Sequence, residues 1–229
     1  MTVPDETPGG SPDTWSVVVD DVSVAGTHEP FVEGVSFTAR AAEVTFVATD
    51  PGIPQVALAL AIGGRVQLLG GHVAHEGATD DAPDGATEVA ELQRLTRLVD
   101  VADVTAPEES ISLRAVVQEE LALAEQPASR AAVAAFLGER DLAGSATRPW
   151  GHLPAGTRTS LLLELGALHP RVRVLVLAGP ERHGGDPEPW LETCQRLAAT
   201  GLAVIVLTTA ASTAALVALR VPAAKELLA

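Results

Sequence analysis

The chain of 229 residues contains no tyrosine, a single cysteine and a single methionine, and only 3% of it is aromatic. So small a stock of rings offers little for stacking bases or for building an interface hot spot from Tyr and Trp. A lone Cys194 cannot form an internal disulfide, which fits a reducing compartment. Cations are also scarce: 15 Lys and Arg stand against 30 Asp and Glu, a formal net charge of −15. A surface of that sign repels phosphate backbones and anionic lipid heads, so nucleic acid is not an expected partner. The charge leaves room for docking to a membrane protein through a local patch. No apolar stretch reaches the ~18 residues of a membrane span, because Glu164 breaks one and the threonines around Thr208 break another. The N-terminus is rich in Pro, Gly and Asp and lacks both the basic start and the apolar run of a signal peptide. It reads as a disordered tail over 1–13 ahead of a single domain over 14–229. The expected location is cytoplasmic, or peripheral at the inner face of the cell membrane.

Hydrophobic residues make up 47% of the chain and charged residues 20%, enough for an ordinary globular core. Residues 15–24 alternate and are rich in Val, and residues 31–38 look like a second strand. Residues 43–48 (EVTFVA) form a short continuous β-branched and aromatic run, as in a strand buried on both faces. A turn follows at Thr49-Asp50-Pro51-Gly52, then a helix over 56–62 that Gly63 and Gly64 end. Residues 78–85 read as an acidic loop and 98–104 as a strand. Ser110 is placed to cap a helix over 111–125, with Leu113, Val116, Val117 and Leu121 on one face and Glu119 and Glu120 on the other. Further helices are expected over 131–137, 157–168, 190–199 (capped near Asp186) and 212–219, with continuous apolar strands over 172–177 and 202–207. Buried β runs separated by helices predict a parallel sheet, and the helical block inserted between two of them predicts a separate lobe.

In this order of segments the sequence resembles the nucleotide-binding domain of ABC transporters over most of its length. The phosphate-loop pattern of that family, Walker A, falls on Thr49 to Val56 (TDPGIPQV), and the signature motif on Leu153-Pro-Ala-Gly-Thr157. The second phosphate-site strand, Walker B, falls on Val174 to Leu177 followed by Ala178-Gly179-Pro180. Asp186-Pro187 lies near the dimer-contacting Asp loop, one residue late, and the switch histidine would lie near Thr209. The resemblance implies an α/β fold of the P-loop NTPase type: a mostly parallel sheet with flanking helices, an N-terminal antiparallel β portion and an inserted helical subdomain at about 105–160. It implies a dimeric arrangement, with a membrane permease or a second ABC ATPase subunit as partner, docked through the lobe.

Nearly every position that handles nucleotide in the family is altered here. A phosphate loop works by converging backbone N–H groups on phosphate oxygens while a Lys neutralises their charge. Gly52 is kept, but Gln55 stands for the Lys, Pro54 deletes an N–H, and Val56 replaces the hydroxyl that would hold Mg²⁺. Asp50 adds an anion nearby. Each lost charge-assisted contact costs roughly 1.5–3 kcal/mol. Thr49, Gly52, Gln55 and Val56 therefore form a vestigial cofactor loop at which ATP and Mg²⁺ bind only if the altered site still holds them. On the second strand Ala178 and Gly179 stand where an Asp and a Glu would orient metal and water, so no catalytic residue is assigned. Glu181, beyond Pro180, is expected to be carried away from the phosphates. The aromatic that stacks adenine falls near Ala25, with only His28 and Phe31 close by, and Pro154 replaces the signature Ser. The expected function is that of a catalytically inactive ABC-type subunit acting by docking. The alternatives are a low-activity ATPase completed by a partner, and a free-standing α/β interaction protein.

The remaining reactive side chains have simpler readings. The six histidines (His28, His72, His75, His152, His169 and His183) are scattered without ligand spacing and read as surface residues, and no metal site is expected. Cys194 lies in a helix without a neighbouring base and reads as a structural thiol. Ser36 and Ser160 lack the glycines of a nucleophile elbow.

Overall fold

A computed structural model of the chain describes residues 15–77, 87–218 and 225–228, apart from the side chains of 217–218 and 225–228. The expected tail over 1–13, the acidic loop over 78–85 and the end of the helix expected to reach 219 lie outside the described residues. The described residues form two sheets. The N-terminal one is antiparallel, with β1 (Ser16–Val24) between β2 (Val32–Arg40) and β4 (Leu68–Glu76). The other is parallel, in the order β5 (Thr96–Val99), β6 (Val174–Ala178), β7 (Ala203–Thr208), β3 (Val44–Ala48) and β8 (Lys225–Leu228).

Burial on both faces explains the continuous apolar runs. Every residue of β3, β6 and β7 is buried. Along each strand alternate side chains enter different cores. Val174, Val176, Ile205, Leu207 and Val47 join a cluster with Val17, Val19 and Phe37 of the antiparallel sheet and Leu58 and Ile62 of α1 (Ile53–Ile62). Leu175, Leu177, Val204, Val206 and Phe46 face the helices instead. Those helices are α3 (Leu113–Leu123), α4 (Arg130–Gly138), α5 (Ala155–Ala167) and α6 (Glu188–Ala198), which contribute Leu113, Val133, Leu163 and Trp190 to the same core. Cys194 of α6 is fully buried there, and burial pushes its thiol up to about 12. In β1 a one-residue bulge between Val19 and Val22 shifts the register, so that Val22 and Val24 remain buried after Asp20 and Asp21 have turned to solvent.

Several elements differ from the sequence expectation. The strand expected over 98–104 begins at Thr96 and stops at Val99, because Asp100 adopts a left-handed φ of 55°. Ahead of it lies an unforeseen helix, α2 (Glu88–Leu95), whose N-cap Thr87 accepts a hydrogen bond from the N–H of Ala90 at 3.2 Å. β4 and β8 were likewise unforeseen. The cap of α3 is Ser112, whose hydroxyl accepts from the N–H of Ala115 at 3.4 Å, and not Ser110. α1 starts at Ile53, ahead of the expected 56. Glu120 does not face solvent with Glu119: it is buried and pairs with Arg97 of β5 at 2.7 Å, tying the inserted helices to the sheet. No helix among the described residues is long and apolar enough to cross a membrane.

Two outcomes follow from these contacts. Glu120→Ala leaves the Arg97 guanidinium unpaired at a mostly buried position and is expected to cost about 3 kcal/mol in urea unfolding. A loss under ~0.5 kcal/mol would show that the pair contributes no more than an exposed one. The second concerns His75, which stacks on Trp15 with ring centroids 5.1 Å apart. Neither of its ring nitrogens has a hydrogen-bond partner among the described residues. Burial lowers its pKa from the ordinary 6.5; Glu91 opposes that shift, while Arg173 and Arg94 add to it. The unfolded chain therefore binds the proton more readily, so the contribution is present above pH 6.5 and is lost as pH falls through the lower folded value. His75→Phe keeps the stack and removes the titration. Its unfolding free energy should fall less than that of the wild type between neutral and mildly acidic pH, and equal slopes would rule out this role for His75.

Candidate functional site

β5, β6, β7 and β3 are neighbours in a parallel ladder, so their carboxyl ends open on one edge of the sheet. Ligand crevices in open α/β sheets lie on that edge. The residues that leave it are Asp100 after β5, Gly179-Pro180-Glu181 after β6, Thr209 after β7, and the turn from Thr49 into α1 after β3.

Gln55, in the first turn of α1, is buried, and its amide forms the centre of a network. Its Oε1 accepts the N–H of Gly52 at 3.4 Å, and its Nε2 donates to Oε1 of Glu181 at 2.8 Å. The same Glu181 oxygen accepts the N–H of Thr209 at 3.2 Å, and Glu181 Oε2 accepts the hydroxyl of Thr208 at 2.8 Å. Three donors, two from the end of β7 and one from the start of α1, thus converge on a single carboxylate. This corrects the expectation that Glu181 is carried away from the loop. Gly179 takes φ 61° and Pro180 opens a 3-10 turn (Pro180–His183), which swings residue 181 back over the sheet edge. A Cβ on Gly179 would lie 2.6 Å from Oε1 of Gln55, so a side chain there would displace the amide.

A second cluster braces the neighbouring strand end. Asp100 is 3% exposed, and Arg182 donates to its backbone oxygen at 2.6 Å and to its Oδ1 at 2.7 Å. The other terminal nitrogen of Arg182 donates to the carbonyls of Ala178 at 2.6 Å and Gly179 at 3.1 Å. His183 Nε2 lies 2.8 Å from Oδ2 of Asp100, so this histidine is a bound partner and not a free surface residue. Arg182 therefore staples the ends of β5 and β6 together.

The expected cofactor residues are not brought to one point. Of Thr49, Gly52, Gln55 and Val56, only Gln55 directs a polar head at the strand ends. Thr49 donates its N–H to Thr208 O at 2.8 Å and its hydroxyl to Asp50 O at 2.9 Å. Val56 packs against the core shared with the antiparallel sheet. Pro51 and Pro54 have no N–H, and the N–H of Gly52 is engaged by Gln55, so the loop offers few free donors. Gly156, of the signature-like segment, is buried: a Cβ there would meet Pro189 Cγ at 3.2 Å and Asp186 O at 3.3 Å. Its lack of a side chain serves the packing of α5 against the start of α6. Asp186 accepts the N–H of Glu188 at 3.0 Å, which makes it a turn residue beside that helix start. The sequence reading passed over Asp100, took His183 for a surface residue and placed Glu181 outside the site. The one available signal was a lone Asp at the end of an apolar run. Among the described residues no group of three His, Cys, Asp or Glu side chains is placed to hold a metal ion.

No family model matches the chain, and no curated protein matches it. Solved structures do. A protein of Pyrococcus furiosus, provisionally assigned as an ABC transporter ATP-binding protein, superposes with a TM-score of 0.60 at 15% identity, covering 85% of this chain and 91% of that one. An ATP-binding subunit of an ABC transporter gives 0.58 at 19% identity over 86% and 81% of the two chains. The cbiO1 protein of Clostridium perfringens, described as part of the ABC transporter complex cbiONQ, gives 0.56 at 14% identity over 84% and 77%. The chain therefore has the fold of ATP-binding cassettes, with its parallel sheet, flanking helices and N-terminal antiparallel sheet.

Removing the carboxylate tests the network. Glu181→Ala leaves the buried Gln55 amide, the Thr208 hydroxyl and the Thr209 N–H without their acceptor. The expected loss in urea unfolding is about 2–4 kcal/mol. A variant as stable as the wild type would mean that water replaces the carboxylate freely and that the network does not brace the site.

Proposed function

We propose that this protein is a subunit with the ATP-binding-cassette fold that no longer turns over ATP and acts by docking, either to a membrane permease or to a second ABC-type ATPase subunit. The observation that carries the reading is the contact between Gln55 and Glu181. At the position where the family has a phosphate-binding Lys, this chain has a neutral amide, and that amide holds the chain's own carboxylate. An incoming phosphate would meet Glu181 and, nearby, Asp50, neither of which is paired with a cation among the described residues. The residues present do not fit Mg·ATP: Val56 has no ligand atom, and Ala178 and Gly179 have no carboxylate. Thr49, Gly52, Gln55 and Val56 then form a vestigial loop with a structural role. The helices inserted between β5 and β6, about 105–160, are the docking lobe in this reading. On α3 they present Arg114, Gln118, Glu119 and Leu123 to solvent.

A low-activity ATPase completed by a partner is the second reading. One observation favours it: a carboxylate, that of Glu181, does stand beside the loop, bonded to Gln55.

Calorimetry and thermal unfolding separate the two. A Kd of ~10 μM for Mg·ATP would stabilise the native state by about 2.7 kcal/mol at ~1 mM ligand. We expect no Mg²⁺-dependent shift, and a reproducible one would overturn the docking reading. Restoring the loop with Pro54→Gly, Gln55→Lys and Val56→Ser should still give no binding, because the new Lys would pair with Glu181. Adding Glu181→Ser should then give nucleotide binding without turnover. Hydrolysis by the wild type once a partner ATPase is added would establish the second reading.

A further inference from the structure

Next to the Gln55 network, and sharing Thr209 with it, a cavity of about 460 Å³ opens between the start of β2, the turn into α1 and the start of α7 (Ala210–Ala218). Its size falls within the range of pockets that hold small organic ligands. Phe31, Val35, Pro54 and Leu58 are among the apolar residues that line it, with Val35 and Leu58 buried in the core. Asp50 and Glu33 also line it, and among the described residues no Lys, Arg or His does. Neither carboxylate makes an ion pair or a hydrogen bond among the described residues, and both residues are exposed. At the start of α1, Pro54 has no N–H and the N–H of Gly52 is taken by Gln55.

From these observations we infer that the cavity is a binding site for a small organic cation: an ammonium group on a compact apolar or aromatic body. The apolar body fills the space over Val35 and Leu58. The ammonium lies toward Asp50 and Glu33, where two carboxylates without cationic partners attract it, and the half-buried Phe31 ring presents a further favourable face. The same charges exclude phosphates and carboxylates from the cavity. The inference does not depend on the docking role, since it concerns a different ligand, although Thr49, Asp50 and Thr209 border both the cavity and the phosphate-loop region.

Isothermal titration at low salt with 2-phenylethylammonium, 3-phenylpropionate and adenosine as probes tests it. The ammonium compound should bind the wild type in the ~1 mM range or tighter, at least ~10-fold better than the anion of similar size. Glu33→Gln combined with Asp50→Asn should remove most of that preference. Ala210→Trp, which fills the cavity from an exposed position, should abolish binding without loss of the folded state. Absence of ammonium binding, equal binding of 3-phenylpropionate or adenosine, or unchanged affinity in both variants would overturn the proposal. Mg·ATP titrated in parallel keeps the two readings apart: an ATP response removes the docking reading, whereas only the ammonium comparisons decide this one.

Discussion

Three short strands with no solvent-facing side set the terms for everything else. A strand such as β6, buried along its whole length, is stable only if one layer covers its odd positions and another covers its even ones. The antiparallel sheet with α1 supplies one layer, and the inserted helices with α6 supply the other. Because the ladder is parallel, all the chain reversals that build these layers leave from the same sheet edge. Loops from distant parts of the sequence are thereby crowded together, with unpaired N–H groups and hydroxyls pointing into the gap between them.

Such a gap needs an acceptor, since a buried donor without a partner costs more than a made hydrogen bond gains. A bound phosphate is one acceptor that such an edge can take from solution. Here the acceptor is already part of the chain. Glu181 collects Gln55, Thr208 and Thr209, and Arg182, one residue later, collects Asp100 and two carbonyls at the end of β6. Two adjacent side chains of opposite charge thus complete the sheet edge from within, and neither has to wait for a ligand.

Much of the framework was legible in the sequence because it is written in local periodicity. The runs over 43–48, 172–177 and 202–207 are too apolar and too short for anything but doubly buried strands. The order of segments carried the resemblance that the shared fold then bore out. What escaped depends on partners far away in sequence. β4 contains Gly70-Gly71 and two histidines, and only its pairing with β1 makes it a strand. Glu120 and Glu119 are indistinguishable until Arg97 supplies a reason for one of them to turn inward. The inward swing of Glu181 hangs on the handedness of one residue, Gly179. A linear reading shows that glycine allows that handedness, but not that the chain adopts it.

Cys194 gives the molecule a property unrelated to chemistry at the sheet edge. Its sulfur is enclosed between α6 and the sheet and is almost wholly protonated at neutral pH, with a pKa of about 12. Alkylating reagents act on the thiolate, so they must wait until α6 lifts and the group meets water. As the sole thiol of the chain it gives one signal with nothing to subtract. The speed of its modification is a clock for the opening of that helix, and it can be read in the unaltered protein without attaching a probe.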